Sequence, residues 1–204
     1  MTPGRASKTA QFTTILRAHH HLFGGETKIL QDDLALALSG LPNPEAVLEQ
    51  VGVLVDGFSQ LGSHDAASAF VEQTEHAVCA RSRLFEERIT QLTGNGLQQL
   101  VILGAGMDTT AYRFSEALQD ITVFEIDHPD TQAFKRQRLQ ESGIAIPSNL
   151  QFAGFDFETP TLAKAMEDSA IDRNKHTLFS WLGVSMYLTD DTVKVTLGVL
   201  GHFP

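Results

Sequence analysis

The stretch from residue 100 to residue 127 constrains the fold of this chain more than any other part of the sequence. It begins with four consecutive apolar residues, Leu100, Val101, Ile102 and Leu103. A run this short that ends in glycine is typical of a strand buried on both faces of a parallel sheet. A Gly-Ala-Gly turn follows, and Asp108 then stands where its carboxylate can cap the first turn of a helix. The order of these signals predicts a strand, a tight turn and a helix.

A second apolar run, residues 121–126, ends at Asp127 and completes a βαβ unit of the nucleotide-binding kind. Glycines at the turn let a ligand approach the backbone where no Cβ is in the way. A carboxylate after the second strand suits a ribose, because it is acceptor-only and can accept from both hydroxyl groups. Thr109 stands where a dinucleotide fingerprint has its third glycine, which favours adenosine with a short zwitterionic tail over a pyrophosphate. A tight turn in an α/β protein that binds no ligand is the alternative.

The rest of the chain predicts helices before this unit and further strands after it. We expect residues 1–95 to form a helical cap and residues 96–204 an α/β core, both within one domain. Strands are predicted at residues 150–153 and 177–182. The predicted helices are residues 9–21, 29–38 with Asp32 and Asp33 in its first turn, a segment from Pro44, 65–92, 129–141 with a solvated face carrying Lys135, one from Thr159 or Thr161, and 190–200.

Composition excludes several classes of partner. The net charge is −10, from 15 Lys and Arg against 25 Asp and Glu, so the chain lacks the positive surface that nucleic acid binding requires. No apolar run is long enough to cross a membrane, and the first residues lack the apolar core of a signal peptide. The single cysteine, Cys79, cannot form a disulfide within the chain and is interpreted as a core residue. These features predict a cytoplasmic protein without a membrane partner.

Three consecutive histidines, His19, His20 and His21, are the most conspicuous candidates for metal ligands. Consecutive residues on a helix project in different directions, so these three cannot converge on one ion. We expect a solvated helix end and no metal site there.

Several segments resemble one known family. They read GAGMDTTAYRF, FEIDHP, ARSRLFEERI, GFDFE and SWLGVSMYL, and with them the chain from Thr9 onward is similar to the leucine carboxyl methyltransferase family. The resemblance is greatest to its bacterial branch of S-adenosylmethionine-dependent O-methyltransferases. It implies a doubly wound, Rossmann-like class I methyltransferase sheet with an N-terminal helical cap, and S-adenosyl-L-methionine as the cofactor.

The resemblance also implies roles for individual residues. Arg81 would pair with the carboxylate of the methyl donor, although an ion pair with Glu86 or Glu87 is the alternative. The methionine part would lie against the turn, and the carboxylate after the second strand would accept from the ribose. The next acidic residue would accept from the adenine amino group, unless it only caps a helix, and the aromatic residue after it would contact the ring. The implied donor-binding residues are Arg81, Gly104, Ala105, Gly106, Asp127, Asp156 and Phe157.

One position departs from the family pattern. Relatives often carry a Glu after the fourth strand, where this chain has Leu182, which puts the chemistry at the methionine end of the donor in doubt. Trp181 and Tyr187 nearby are expected to wall the site. No residue is identified as catalytic, because transfer to a carboxylate needs alignment of the two reactants and no base.

The resemblance implies an O-methyltransferase that acts on a carboxylate or hydroxyl of a small molecule or peptide. A nicotinamide-dependent oxidoreductase, NAD(P)-linked, is one alternative, and a truncated relative that binds ligand without turnover is another. The family fold has three further strands, so the sequence predicts a C-terminally incomplete sheet. Its fourth strand would then have an open edge, through which we expect self-association.

Overall fold

A parallel sheet of four strands organises the part of the chain that the structure, a computed structural model, describes: residues 7–155, 166 and 169–204. The sheet order is β3-β2-β1-β4, and every neighbouring pair is parallel. The strands are β1 (Gln99–Leu103), β2 (Thr122–Asp127), β3 (Leu150–Gly154) and β4 (Thr177–Ser180). This architecture confirms the predicted α/β, Rossmann-like fold. Within the described residues β4 pairs only with β1, so it lies at an edge as predicted.

The two faces of the sheet carry separate hydrophobic clusters, because alternate residues of a strand point to opposite faces. Leu100 and Ile102 of β1 pack in the larger cluster, with Phe85 and Ile89 from the segment before the sheet. Their neighbours in β1 pack on the other face in the cluster that contains Phe124. β1 is buried along its whole length, as its continuous apolar run predicts.

The helices before the sheet are α1 (Lys8–Phe23), α2 (Ala35–Ser39), α3 (Pro44–Ser59) and α4 (His64–Thr93). Three of them begin at side-chain caps, in which Ser7, Asn43 and Ser63 accept backbone N–H groups. The predicted helix over residues 29–38 is wrong in its first half, since α2 begins only at Ala35. Asp32 precedes that helix, and its buried carboxylate accepts two arginine side chains instead of sitting at a helix terminus.

The helices that accompany the strands are α5 (Thr110–Arg113), α6 (Pro129–Glu141) and α7 (Asp190–Leu200). The helix predicted to begin at Thr159 or Thr161 falls outside the described residues. The predicted solvated face of α6 is wrong for Lys135, whose side chain is 1% exposed. Its ammonium group lies 2.6 Å from a carboxylate oxygen of Glu125 in β2. A buried strand acid thus draws this lysine into the core.

Candidate functional site

A cavity of about 350 Å³ lies where the carboxyl ends of β1, β2 and β4 meet. The strand order changes direction at β1, and open α/β sheets bind their ligands at such a point. The volume falls in the range of small-molecule sites. The cavity brings together the five predicted site residues that the structure describes: Arg81, Gly104, Ala105, Gly106 and Asp127.

The glycine turn follows β1 and forms the floor of the cavity. Gly104 and Gly106 have φ angles of +65° and +51°, in the left-handed region that favours glycine. A Cβ on Gly104 would overlap a methyl group of Val184, so the turn also has no room for a side chain there. Gly104 N–H donates to the Ile126 carbonyl oxygen at 2.7 Å, which fixes the turn to β2.

Asp127 ends β2, and its side chain reaches the same turn. One carboxylate oxygen accepts the Gly106 N–H at 2.5 Å and the other accepts the His128 N–H at 2.6 Å. Each oxygen has two lone pairs, so each keeps one for a ligand hydroxyl. Burial raises the pKa of Asp127, although the two N–H donors act in the opposite direction. The carboxylate is therefore held in place from one side and faces the cavity from the other.

Arg81 projects from α4 into the cavity with its side chain half-buried. Glu86 binds Arg113 and Glu87 binds Arg83, so neither takes the role of partner that the sequence left open. No carboxylate of the described residues lies within 4 Å of the Arg81 guanidinium group. Burial lowers the pKa of Arg81, and the positive charge of nearby Arg17 adds to that effect. A guanidinium in this position can take an anionic group of a ligand.

The segment after β4 covers one side of the cavity. Gly183 has a φ of +71°, and a Cβ on it would lie 2.8 Å from guanidinium nitrogens of Arg81. Leu182 and Tyr187 line the cavity, which agrees with the expectation for Tyr187. Trp181 packs instead in the hydrophobic cluster on the Phe124 face of the sheet. Leu182 contributes an apolar side chain to this side of the cavity.

Asp156 and Phe157 lie outside the described residues, so their predicted contacts with adenine remain predictions. Phe155, the residue before them, lines the cavity and donates its N–H to the Asp127 carbonyl oxygen at 2.8 Å. Phe155 therefore lies beside the cavity at the end of β3.

Sequence reasoning missed the contribution of α1. Ala10, Thr13 and Arg17 line the cavity from this helix, and Ala10 lies so close to Gly106 that a Cβ there would be 3.1 Å from its own. These three residues follow the spacing of one helix face. The spacing of a small residue, a hydroxyl and an arginine on one face of this helix is the signal that could have found them.

A histidine and glutamate cluster lies further along α1, near its C-terminal end. Among the described residues, ligand atoms of His20, Glu75 and His76 lie within 4.8 Å of one another. However, His20 Nε2 accepts the Ile29 N–H at 3.0 Å, so its proton is on Nδ1, which donates to Glu75 at 3.2 Å. Both ring nitrogens of His20 are thereby used. The cluster is a hydrogen-bonded junction between α1 and α4.

Comparison with known proteins assigns the chain that forms this cavity to a family. The model of the leucine carboxyl methyltransferase family matches residues 10–200. The chain belongs to the leucine carboxyl methyltransferase family. This finding confirms the resemblance seen in the sequence motifs.

Three bacterial relatives carry names that begin "Putative S-adenosyl-L-methionine-dependent methyltransferase". YktD of Bacillus subtilis (strain 168) is 37% identical over 110 residues, which are 53% of this chain and 36% of the relative. A protein of Mycobacterium sp. (strain KMS) is 30% identical over 166 residues, 81% of this chain and 59% of the relative. A protein of Mycolicibacterium smegmatis (strain ATCC 700084 / mc(2)155) is 31% identical over 176 residues, with 76% of this chain and 54% of the relative covered. The chain spans between about a third and three-fifths of the length of these curated relatives, 36% to 59%.

No helix among the described residues is both long enough and apolar enough to span a membrane.

Proposed function

We propose that this protein binds S-adenosyl-L-methionine in the cavity at the carboxyl ends of β1 and β2 and transfers its methyl group to an oxygen atom. One observation carries the proposal: the glycine turn, Asp127 and Arg81 line a single cavity in a member of this family. The relatives' names support the same donor.

The charges around the cavity fit the donor. Asp127 has one free lone pair on each carboxylate oxygen for the two ribose hydroxyl groups. Arg81 has no described carboxylate partner, so its guanidinium can receive the carboxylate of the methionine part. Asp108 also lines the cavity, where its carboxylate supplies negative charge to face the cationic sulfonium of the donor. Asp156 and Phe157 complete the proposed set at the adenine.

The bound donor supplies an electrophilic methyl group, and the protein's task is alignment. Arg81 and Asp127 hold the carboxylate and the ribose of the donor, while Gly104 and Gly106 let it lie against the backbone. The segment after β4 and helix α1 cover the cavity and exclude water that would compete with the acceptor. A carboxylate acceptor, with a pKa of about 4, is already ionised at neutral pH and requires no base. We therefore propose as acceptor a carboxylate or hydroxyl of a small molecule or peptide.

A nicotinamide cofactor fits the same cavity less well. Thr109 replaces the third glycine, and its buried hydroxyl donates to Asp32 at 2.8 Å. The following helix, Thr110–Arg113, has only four residues, too few to give a pyrophosphate the helix N-terminus that dinucleotide folds use. These two features argue against an NAD(P)-dependent oxidoreductase.

Calorimetry and thermal unfolding test the choice of cofactor. We expect S-adenosylmethionine and S-adenosylhomocysteine to bind and to raise the melting temperature, because a ligand at about a hundredfold excess over Kd adds about 2.7 kcal/mol of stability. NAD and NADP should leave the melting temperature unchanged. Stabilisation by NAD, without any by the methyl donor, would overturn the proposal.

A relative that binds the donor without turnover is the second candidate, and Leu182 at the methionine end favours it. A donor carrying a labelled methyl group, incubated with a library of small carboxylic acids, alcohols and peptides, separates the two. Label transferred to an acceptor supports the enzyme, whereas donor binding without any transfer supports the second candidate.

We propose further that residues 1–95 and 96–204 act as one domain. The cavity supports this, because α1 and α4 on one side and the glycine turn on the other supply its lining.

A further inference from the structure

Four buried charged side chains form a network beneath the glycine turn. Arg17 Nη1 lies 2.9 Å from a carboxylate oxygen of Asp32, and Arg113 Nε lies 3.3 Å from the other. Arg113 also binds Glu86 through Nη2. Thr109 joins the network, because its hydroxyl donates to Asp32 and accepts from Arg113 Nε. We call these five residues the buried charge network.

The network connects parts of the chain that are far apart in sequence. Arg17 comes from α1, Asp32 from the segment before α2, and Glu86 from α4. Thr109 and Arg113 come from the turn after β1 and from α5. All the charged side chains are at least nine-tenths buried, and two arginines balance two acids.

Arg17 is the member that reaches the backbone of the glycine turn. Its Nη2 donates to the Met107 carbonyl oxygen at 2.6 Å, one residue beyond Gly106, while its Nη1 holds Asp32. The planar fork of a guanidinium can make both contacts at once, whereas a lysine ammonium offers a single charged centre. Arg17 therefore fixes the carbonyl of Met107 relative to α1.

Buried ion pairs add little net stability over apolar residues of equal size, but they can specify one conformation. Here the specified element is the turn whose N–H at Gly106 also orients Asp127. The Met107 carbonyl lies two peptide groups after the Gly106 N–H, so a shift of this carbonyl would be passed through the turn to the hydrogen bond that holds Asp127. The route runs from Arg17 to the ribose site through two hydrogen bonds.

We propose that Arg17 is a positioning residue for the donor site, which holds the turn of residues 104–109 from α1 in the conformation that binds the nucleoside. The proposal rests on the proposed function for the identity of the ligand. Under this proposal the helical cap contributes to donor binding through Arg17.

Two variants and a control test it. Arg17→Met removes the guanidinium and leaves Asp32 with Arg113 and Thr109. Arg17→Lys keeps the charge but loses the fork. Arg83→Met is the matched control, since Arg83 makes an exposed ion pair with Glu87 in α4.

Each protein is measured in two ways. The Kd for S-adenosylhomocysteine is obtained by calorimetry, and backbone hydrogen exchange of residues 104–109 is followed without ligand, with β3 as the internal reference. We expect the Kd to rise about tenfold or more in Arg17→Met and less in Arg17→Lys, the scale for losing a charge-assisted hydrogen bond. Exchange in the turn should become about tenfold faster while that in β3 is unchanged. Arg83→Met should match the unsubstituted protein in both measurements.

The outcomes are distinct. A lower melting temperature with unchanged Kd and equal exchange in the turn and β3 would reduce Arg17 to general stability and overturn the inference. If Arg17→Met does not fold, the same comparison on Arg17→Lys decides the question. If the unsubstituted protein binds neither S-adenosylmethionine nor S-adenosylhomocysteine, the proposed function fails, and exchange in the turn alone then judges whether Arg17 positions it.

Discussion

Single atoms decide whether the cavity can hold the donor, and Gly183 is the clearest case. Its φ of +71° and the 2.8 Å between an added Cβ and the Arg81 guanidinium mean that Gly183→Ala both strains the backbone and displaces Arg81. The strain costs about 1 kcal/mol, and we expect donor affinity to fall by about tenfold because a charge-assisted contact is misplaced. Gly143→Ala is the matched control, with φ at +66° and nothing within 4 Å of the added Cβ. Equal loss of donor affinity in both variants, measured by calorimetry, would contradict the role of Arg81.

At the same scale, a substitution of Asp127 tests the proposed contact with the ribose of the donor. Asp127→Asn keeps the size but places an amide NH₂ against one of two backbone N–H donors, those of Gly106 and His128. We expect donor affinity to fall by about 1.5–3 kcal/mol and the free energy of unfolding by about 1–3 kcal/mol, since one buried donor loses its acceptor. Asp120→Asn, in the exposed turn before β2, should change neither quantity. Unaltered affinity for S-adenosylhomocysteine in Asp127→Asn would remove Asp127 from the site.

At the scale of elements, β2 and α6 are joined by the buried pair of Glu125 and Lys135. Burial raises the pKa of Glu125 to about 7, and Lys135 opposes the rise. Lys135→Met removes that opposition, so the folded-state pKa rises further while the unfolded value stays near 4.5. Between these two values the folded state binds a proton that the unfolded state does not, so stability falls as pH rises.

We therefore expect Lys135→Met to lower the free energy of unfolding by about 3–5 kcal/mol at pH 8 and by clearly less at pH 5. Urea unfolding at the two pH values, each compared with the unsubstituted protein, measures the difference. The double variant Glu125→Gln/Lys135→Met leaves no buried charge at this site and should recover most of the loss at pH 8. A penalty independent of pH would mean that Glu125 does not titrate in the folded protein.

The bounds of several helices and strands could be predicted from the sequence. The predicted bounds of α6 and α7 match the structure, because His128 and Thr189 cap them and a glycine or serine ends them. β1 begins one residue before its predicted start and β2 is shifted by one residue at both ends, a close match because continuous apolar runs are strong signals. Local patterns are sufficient for elements of this kind.

Contacts between segments that are distant in sequence could not be predicted from local sequence patterns. Asp32 resembles a first-turn helix acid until the fold brings Arg17 and Arg113 to it. Lys135 resembles a surface lysine until β2 places Glu125 beneath α6. Cavity residues that belong to a sequence motif, such as Asp127, could be predicted from the sequence. Those that only tertiary packing brings to the cavity, such as Arg17, could not.

At the scale of the whole chain, β4 is one of the two edge strands of the sheet that the described residues form. Within the described residues β4 pairs with β1 on one side only, so its other edge presents free N–H and C=O groups. Exposed apolar side chains lie close by in sequence: Met186, Tyr187, Val195 and Leu197. Free edge groups beside apolar surface favour pairing with another chain.

We expect this 22.3 kDa chain to associate, through the β4 edge and the adjacent face of α7. Light scattering over a range of concentrations should give a mass above that of one chain, rising with concentration. The variant Val195→Glu/Leu197→Lys puts charges on the exposed face of α7 without touching the cavity and should shift the equilibrium towards the single chain. Leu84→Lys, an equally exposed position on α4, should leave association unchanged. A single-chain mass at every concentration would show that this edge stays unpaired in solution, and association lost only in Leu84→Lys would place the contact on α4.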